Sequence, residues 1–476
     1  MTMETTTTDG SLETYEGLLA AISASEGTPV LDPATGEVLA HAPASTPADL
    51  DAAVEAARAA QPAWEALGHE RRSAILVEAA DAVDRSAAAL AELISREQGK
   101  PLNGPGSRFE AGGVSAWLRT AAATELPDET LLEEPRATIA YRAVGLVGAI
   151  GPWNWPALIA SWQLAPALRM GNAVIMKPSE HTPLSVLALG AILGQVLPEG
   201  VLTVLAGDRD LGAALTTHPA FGKIMFTGST ATGKAIVAAS ADNLPRLTLE
   251  LGGNDPGIVL PDVDPAAIAQ DLFWGAFINT GQTCAALKRL YVHEDVYDAV
   301  VEALRAVASQ VPMGPGIEEA SALGPLTTSD QFAIVDRLVE DARASGGRIV
   351  LGGDPDRDAP GNFYPATLVA DIDAHAALVV EEQFGPALPI VRYRDLDEAI
   401  ALANGLDVGL GASVWSADAA AARTVAARVQ AGTVWINSHG GVHPMIPFGG
   451  IKGSGYGLEF GVEGLKAVAV PHVING

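Results

Sequence analysis

The chain has 476 residues, and its 57 Asp and Glu against 29 Lys and Arg give a formal net charge of −28. This charge repels a phosphate backbone over most of the surface, so we expect no nucleic-acid partner. A single cysteine excludes an internal disulfide. Apolar runs such as residues 144–150 are far shorter than the ~20 residues that span a bilayer, so we expect no membrane partner. Residues 1–10 are rich in Thr and lack the basic flank and apolar stretch of a signal peptide, which predicts a cytoplasmic protein.

The first half of the chain begins with helical patterns and continues with alternating strands and helices. Residues 50–67 and 74–97 carry Ala and Leu at helical spacing, which predicts two long amphipathic helices. Short apolar runs then predict parallel strands at 144–150, 173–176, 202–205, 223–226 and 247–251. The alternation with helical stretches indicates an α/β fold of a nucleotide-binding type.

A second alternating region, residues 258–435, predicts a second α/β domain. Its strands are expected at 289–292, 348–351, 389–392 and 433–436. The polar, extended segment 131–142 and the tail 467–474 are expected to pair in a small β element that invites a partner subunit. We therefore predict a cofactor-binding domain of residues 1–124 and 143–251, a catalytic domain of residues 252–452, and an arm with a C-terminal tail of residues 125–142 and 453–476.

The only cysteine, Cys284, follows a Gly-Gln-Thr turn, and Glu250 precedes a Gly-Gly pair upstream. A thiol and a carboxylate on separate glycine-rich turns suit a cysteine nucleophile with a general base. The alternative is that Cys284 is a buried small hydrophobe, the commoner fate of a free cysteine. The turn favours the catalytic interpretation, and residues 285–287 are expected to begin a helix whose dipole favours the thiolate.

Two segments suggest a dinucleotide site. The predicted strand ending at Phe226 leads into a turn with Gly228, Ser229 and Gly233, whose amides and hydroxyls suit a pyrophosphate, although ordinary helix capping has the same composition.

The second of these segments follows the strand 173–176. Lys177 and Glu180 stand where open α/β sheets bind ligands. A carboxylate there accepts from ribose hydroxyls and repels a 2′-phosphate, so Glu180 favours NAD over NADP. The alternative for Lys177 and Glu180 is a solvated surface pair.

The run 151–156, Gly-Pro-Trp-Asn-Trp-Pro, opens a predicted helix over 157–170. Asn154, Leu158, Ile159 and Trp162 share one face of it, polar at its start and apolar beyond. This describes a substrate tunnel in which the Asn154 amide and the backbone N–H of Cys284 form an oxyanion hole. Simple packing with a cap is the alternative interpretation of the motif taken alone.

These motifs resemble the aldehyde dehydrogenase superfamily over nearly the whole chain, from residues 32–38 (Asp-Pro-Ala-Thr-Gly-Glu-Val) to 447–455 (Pro-Phe-Gly-Gly-Ile-Lys-Gly-Ser-Gly). Leu-Glu-Leu-Gly-Gly around Glu250 and Gly-Gln-Thr-Cys at Cys284 resemble the two active-site signatures of that family. The resemblance implies a Rossmann-like cofactor domain, an α/β catalytic domain and a small β oligomerisation arm. It also implies a homodimer or homotetramer.

The resemblance implies roles for individual residues. Cys284 would attack the aldehyde, Asn154 would hold the oxyanion, and Glu250 would activate the water that releases a carboxylic acid. The implied cofactor contacts are Lys177 and Glu180 at the adenosine ribose, Ser229 at the pyrophosphate, and Glu382 and Phe384 at the nicotinamide ribose and ring. Further cofactor contacts are implied for Trp153, Gly228, Gly233 and Leu251. One departure is Leu458, where many relatives carry Arg, so details of that loop are not transferred.

The segments that the resemblance places around the substrate are mostly apolar and contain no arginine to pair a substrate carboxylate. The implied substrate contacts are Trp155, Leu158, Ile159, Trp162, Thr283, Ala285, His439 and His443. A neutral aromatic or aliphatic aldehyde is therefore favoured over a semialdehyde that carries a carboxylate, and His439 and His443 have the alternative of being surface loop residues. A coenzyme A-acylating enzyme is a second alternative. A non-catalytic scaffold is disfavoured because Cys284, Glu250 and Asn154 are all present. The scattered histidines and the single cysteine do not indicate a metal site.

Overall fold

The computed structural model describes residues 11–476, so the expectation about a signal peptide in residues 1–10 lies outside the described residues. The helices are α1 Tyr15–Ile22, α2 Pro47–Ala66, α3 Gly68–Gln98, α4 Ser107–Ala123, α5 Pro156–Arg169, α6 Leu184–Gly194, α7 Arg209–Thr217, α8 Thr230–Ala239, α9 Pro265–Phe277, α10 Tyr297–Ala308, α11 Ser329–Ala344, α12 Ala377–Val380, α13 Leu396–Asn404, α14 Ala419–Ala426 and α15 Gly461–Ala467, with short 3-10 helices at Ser11–Glu13 and Ile278–Gly281. None of the helices in residues 11–476 combines the length and the apolar character needed to cross a bilayer.

Twenty strands accompany these helices. They are β1 Thr28–Leu31, β2 Val38–Ala42, β3 Glu129–Glu133, β4 Arg136–Ala143, β5 Leu146–Ile150, β6 Ala173–Lys177, β7 Leu202–Val204, β8 Lys223–Thr227, β9 Arg246–Glu250, β10 Asp255–Val259, β11 Leu287–His293, β12 Arg348–Leu351, β13 Thr367–Ala370, β14 Ala387–Tyr393, β15 Val408–Gly409, β16 Gly411–Trp415, β17 Thr433–Ile436, β18 Ile451–Lys452, β19 Gly455–Tyr456 and β20 Ala469–Asn475. β1 and β2 form an antiparallel pair, and most of the other strands belong to three sheets.

The first large sheet has the order β19-β9-β8-β5-β6-β7 and is parallel except for β19. Its parallel strands coincide with the five predicted between residues 144 and 251. Lys177, Thr227 and Glu250 are the last residues of β6, β8 and β9 and share the carboxyl edge of the sheet. This is the edge at which open α/β sheets bind ligands.

The second large sheet has the order β12-β13-β14-β11-β10-β16-β17, in which only β12 runs antiparallel to its neighbour. The strands predicted in the second region coincide with β11, β12, β14 and β17. Four residues, 251–254, separate β9 of the first sheet from β10 of the second. The two sheets therefore meet beside Glu250.

A third, three-stranded sheet has the order β20-β4-β3. Its register pairs Val473 with Ile139, so the predicted pairing of the tail with segment 131–142 is found. Within residues 453–476, β19 joins the first large sheet beside β9, and just before them β18 pairs with β15. The domain limits stay predictions.

Local signals fix the two long helices that lead into the site. Thr46 and Asp49 form a reciprocal capping box at the start of α2, in which Thr46 Oγ1 accepts from the Asp49 N–H at 3.4 Å. α3 ends at Gly99, whose φ of 94° is the left-handed conformation that glycine adopts without a Cβ penalty. This turn directs Lys100, the next residue, into the interior, where its side chain is fully buried.

Candidate active site

Cys284 lies in a turn between the 3-10 helix Ile278–Gly281 and β11. The predicted helix after Cys284 is wrong, because the chain enters β11 at Leu287, which pairs with Asp255 of β10. Gly281 has a φ of 76°, and a Cβ there would collide with the carbonyl oxygen of Gly385. The thiol therefore receives no helix dipole, and the tight turn alone sets its position.

The electrostatic surroundings keep Cys284 protonated at rest. Burial, together with the nearby carboxyl groups of Asp255, Glu250 and Glu382, raises the pKa of its thiol to about 12. Lys288 acts in the opposite direction. Its ammonium donates to the carbonyl oxygen of Cys284 and lies 3.2 Å from Glu382 Oε1. A separate base is therefore needed to generate the thiolate.

Glu250, the carboxyl group predicted to act as this base, is the last residue of β9. It is 5% exposed, and neither carboxylate oxygen has a hydrogen-bond partner among the described residues. A Cβ on Gly253 would lie 3.0 Å from the carbonyl oxygen of Cys284, so the connection that follows Glu250 runs directly alongside the nucleophile. Burial and the nearby Glu459 raise the pKa of Glu250 well above its ordinary value.

Glu459 is the second carboxyl group of this site. An antiparallel bridge between residues 448 and 459 and the pairing of β19 with β9 bring it beside Glu250. Burial raises the pKa of Glu459 to about 8, whereas Lys223 lowers it. Both carboxylate oxygens of Glu459 lack a partner among the described residues. Sequence reasoning missed Glu459, because nothing in the glycine-rich segment before it indicates that its carboxyl group is buried.

Asn154 is 3% exposed and is held from both ends. Its Nδ2 donates to the carbonyl oxygen of Gln282 at 2.9 Å, which leaves one amide hydrogen free. The backbone carbonyl oxygen of Asn154 accepts from Asn279 Nδ2 and from Lys100 Nζ, both at 2.8 Å. The backbone N–H of Cys284 has no acceptor among the described residues. Two free donors therefore lie on the segments that carry Asn154 and the nucleophile.

A buried ion pair that the sequence analysis missed supports Asn154. Lys100 Nζ and Glu110 Oε2 are 2.5 Å apart, and both side chains are fully buried. Glu110 Oε1 accepts from the N–H groups of Ala157 and Leu158 at 2.9 and 3.1 Å, so it caps α5 from another helix. Lys100 Nζ also lies 3.5 Å from the centroid of the Trp155 ring. The pair thus fixes the start of α5 and the residue before it.

An apolar cluster contacts Cys284. It contains the predicted substrate contacts Trp155, Leu158, Ile159, Trp162 and Ala285, together with Trp117, Phe448 and Phe460, which sequence reasoning missed. Thr283, the neighbour of the nucleophile, accepts from Trp155 Nε1 at 2.9 Å. The arrangement suits a substrate with an apolar body.

The two predicted histidine contacts have different surroundings. The imidazole of His439 is fully buried, 2.9 Å from Ser413 Oγ and 3.7 Å from Asp255, and it packs on Trp435. It therefore does not project from an exposed loop. His443 is exposed, and its Nδ1 accepts from the N–H of Met445. Contact of either residue with a substrate stays a prediction.

The residues predicted to hold the adenosine end of a dinucleotide line the carboxyl edge of the first sheet. Lys177 is buried and lies 3.9 Å from Glu180, whose side chain is 49% exposed, so the surface-pair alternative does not fit Lys177. Ser229 caps α8 by accepting from the Thr232 N–H. A Cβ on Gly233 would collide with the predicted cofactor contact Leu251, so glycine allows α8 to approach the end of β9 closely. Gly228 donates to the carbonyl oxygen of Glu250, which ties this turn to the catalytic strand.

The residues predicted to hold the nicotinamide end lie beside Cys284. Trp153 and Phe384 meet edge to face at 5.3 Å, and Phe384 has a φ of 44°. Glu382 Oε1 accepts from the Gly253 N–H at 3.2 Å, and a Cβ on Gly252 would collide with the Glu382 carboxylate. Glycine at position 252 thus lets the Glu382 carboxylate lie against the backbone, and Glu382 and Phe384 beside Cys284, together with the polar carboxyl edge of the first sheet, fit a nicotinamide dinucleotide.

Comparisons with known proteins agree with this geometry. Residues 21–473 match the aldehyde dehydrogenase family. The chain is 38% identical to phenylacetaldehyde dehydrogenase of Pseudomonas fluorescens, covering 92% of this chain and 90% of the relative, and 38% identical to betaine aldehyde dehydrogenase of Rhizobium leguminosarum bv. trifolii, covering 92% and 91%.

Solved structures give the same result. The NAD+ complex of a Bacillus cereus aldehyde dehydrogenase matches with a TM-score of 0.90 at 33% identity, covering 94% of this chain and 93% of that one. An NADP-dependent enzyme of E. coli matches with a TM-score of 0.91 at 33% identity, covering 94% of each chain. The predicted fold, with two mostly parallel sheets and dinucleotide binding, is confirmed. The chain belongs to the aldehyde dehydrogenase family and is an enzyme that oxidises aldehydes.

Proposed function

We propose that the protein oxidises a neutral aldehyde to its free carboxylic acid with NAD, using Cys284 as nucleophile, Glu250 as general base and Asn154 as oxyanion donor. The observation that carries the proposal is the buried carboxyl of Glu250, which has no partner of its own among the described residues and stands just before the connection that passes Cys284. Burying such a group without a hydrogen bond costs free energy. Proton transfer from the thiol and from a water is the function that accounts for a carboxyl group in this position.

The first half of the reaction begins with the proton of the thiol, because burial raises the thiol pKa to about 12. Glu250 accepts this proton, and the sulfur electron pair forms the C–S bond to the aldehyde carbon. The resulting oxyanion accepts from the free Asn154 amide hydrogen and the Cys284 N–H. Bound dinucleotide supplies the acceptor for the hydride that leaves the same carbon, and a thioester on Cys284 remains.

The second half of the reaction is hydrolysis. After the proton taken from the thiol has left Glu250 for solvent, Glu250 takes a proton from water and the hydroxyl oxygen bonds to the thioester carbon. The C–S bond then breaks as Glu250 returns that proton to the sulfur. The pKa of Glu459 is raised to about 8. Because two adjacent buried carboxylates repel each other, one of Glu250 and Glu459 holds a proton while the other is ionised. A site with this base favours hydrolysis over transfer to coenzyme A.

Glu180 supports NAD rather than NADP as the cofactor. Its half-exposed carboxylate is free to accept from both ribose hydroxyls, whereas a 2′-phosphate would meet its negative charge. The solved relatives include both an NAD+ complex and an NADP-dependent enzyme. We assign the preference of this chain for NAD over NADP to Glu180.

The apolar cluster supports a neutral aldehyde. Its members Trp155, Trp162 and Phe460 are largely buried, and the two ammonium groups beside it are already paired, Lys100 with Glu110 and Lys288 with Glu382. A semialdehyde would bring an unpaired carboxylate into this apolar surrounding, which is costly. A neutral aromatic or aliphatic body fits the same surface without that cost.

The arm supports a homodimer or homotetramer. β3 and β20 are the two edge strands of the small sheet, and both expose apolar side chains: Leu131, Leu132, Val473 and Ile474 are each more than half exposed. Exposed apolar edge strands favour association with another subunit. Light scattering of the purified protein distinguishes monomer, dimer and tetramer.

The experiment that tests the enzymatic proposal follows reduced nicotinamide formation with a panel of aldehydes, each with NAD or NADP and with or without coenzyme A. We expect turnover with NAD alone, strongest on neutral aldehydes, and no turnover by Cys284→Ala. A requirement for coenzyme A would indicate the acylating alternative. Retained turnover in Cys284→Ala would contradict the assignment of the nucleophile.

A further inference from the structure

Two indole N–H groups in the apolar cluster have no acceptor. Trp117 Nε1 and Trp162 Nε1 are both inaccessible to solvent and lack a hydrogen-bond partner among the described residues. Their rings stack with centroids 5.5 Å apart, and both pack edge-on against Phe460. By contrast, Trp155 Nε1 donates to Thr283 and Trp435 Nε1 donates to the carbonyl oxygen of Gly441. An unpaired buried donor costs about 1–3 kcal/mol, so two in one place call for an acceptor that binds there.

The two indoles border the same small cavity. It has a volume of about 20 Å³, which is enough for one water-sized group. Its lining consists of Trp117, Ala121, Thr124, Trp162, Ala165, Pro166, Pro444, Phe460, Gly461 and Leu465. None of these residues is charged. The cavity therefore suits a single neutral oxygen atom with its nearest substituent rather than an ion.

The cavity lies within reach of a substrate held at Cys284. Trp117 and Trp162 belong to the same continuous apolar cluster that contacts Cys284. Trp162 is both a predicted substrate contact and a lining residue of the cavity, and it lies six residues after the first residue of α5, Pro156, which corresponds to about 9 Å of helix axis. A six-membered ring with a short side chain spans a gap of this order.

We propose that this cavity receives a neutral oxygen acceptor at the end of the substrate remote from the aldehyde, so that the enzyme selects aldehydes with an ether, hydroxyl or carbonyl oxygen on an apolar, preferably aromatic, body. The inference rests on the proposed function and narrows its substrate class. A carboxylate is disfavoured in this position because the lining offers no cation, and burial of an unpaired charge is costly.

The test compares two aldehydes of nearly equal shape, para-methoxyphenylacetaldehyde and para-ethylphenylacetaldehyde, in which a methylene group insulates the carbonyl from the ring. We expect the wild-type enzyme to favour the methoxy compound in kcat/KM by about three- to tenfold, the range of a neutral hydrogen bond. Trp162→Phe and Trp117→Phe each keep a ring and remove one donor, so each is expected to lower this ratio. Trp435→Phe is the matched control, because its N–H already has a protein acceptor, and the ratio should not change.

Thermal unfolding establishes that each variant is folded, and either tryptophan variant alone suffices if the other does not fold. A wild-type ratio of one or less, or an unchanged ratio in the Phe variants with dehydrogenase activity retained, would overturn the inference while leaving the proposed function intact. Failure of the wild-type enzyme to turn over any aldehyde would instead refute the proposed function and the inference that rests on it.

Discussion

The substitution Lys100→Met tests whether the buried ion pair positions the oxyanion donor. Methionine has a similar volume and no charge, so the change removes the ammonium that contacts Glu110 at 2.5 Å and the Asn154 carbonyl oxygen at 2.8 Å. Glu110 is then left fully buried with only the two N–H donors of α5. Breaking a buried pair on one side costs about 3–5 kcal/mol. Release of Asn154 by about 1 Å costs about a hundredfold in rate.

The assays are steady-state kinetics and thermal unfolding. We expect Lys100→Met to lower kcat by ten- to about a hundredfold with little change in KM, because the oxyanion contact forms only during reaction. The double variant Lys100→Met, Glu110→Gln removes the unpaired charge, so it should recover stability but not kcat. Lys466→Met removes an exposed pair with Glu463 and is the control, with an expected change of less than about 1 kcal/mol. Wild-type kcat in a folded Lys100→Met enzyme would refute the positioning role.

Three further outcomes are expected at the site. Glu459→Gln removes a charge that raises the pKa of Glu250, so Glu250 loses its proton at lower pH and the acid limb of the pH–kcat profile moves to lower pH; an unmoved limb would show that the two carboxyls act independently. Asn154→Ala should lower kcat by about 10²–10³-fold at similar KM, as measured with saturating aldehyde, and a loss confined to KM would contradict an oxyanion role. Glu180→Gln should raise kcat/KM for NADP relative to NAD by roughly five- to tenfold, and an unchanged cofactor ratio would remove Glu180 from the discrimination.

The strand positions were predictable because short apolar runs alternate with helical stretches along the chain. The error after Cys284 has a physical cause. Ala285 and Ala286 favour a helix by intrinsic propensity, but Leu287 enters a strand that lies between β10 and β14 in the middle of the second sheet. A strand buried on both faces has no alternating pattern, so local propensity misidentifies its start.

The groups around the catalytic residues were predictable only in part. Motif spacing indicated Cys284, Glu250 and Asn154, because each stands in a glycine-rich or aromatic turn. Lys100 and Glu459 lie far from these turns in the sequence and reach them only through the α3–α4 packing and the β9–β19 pairing. A charged residue looks the same in sequence whether it is solvated or buried, so its role depends on tertiary contacts that periodicity does not encode.

The dual placement of the tail has a consequence for biosynthesis. β19 completes the sheet edge that carries Glu250, and β20 completes the arm, yet both strands come after residue 454. Domains generally fold from the N-terminal end as the chain emerges from the ribosome. A nascent chain that already contains Cys284, Glu250 and Asn154 therefore still lacks the strand that closes around its base. The sheet that carries Glu250 is therefore complete only after translation has passed β19.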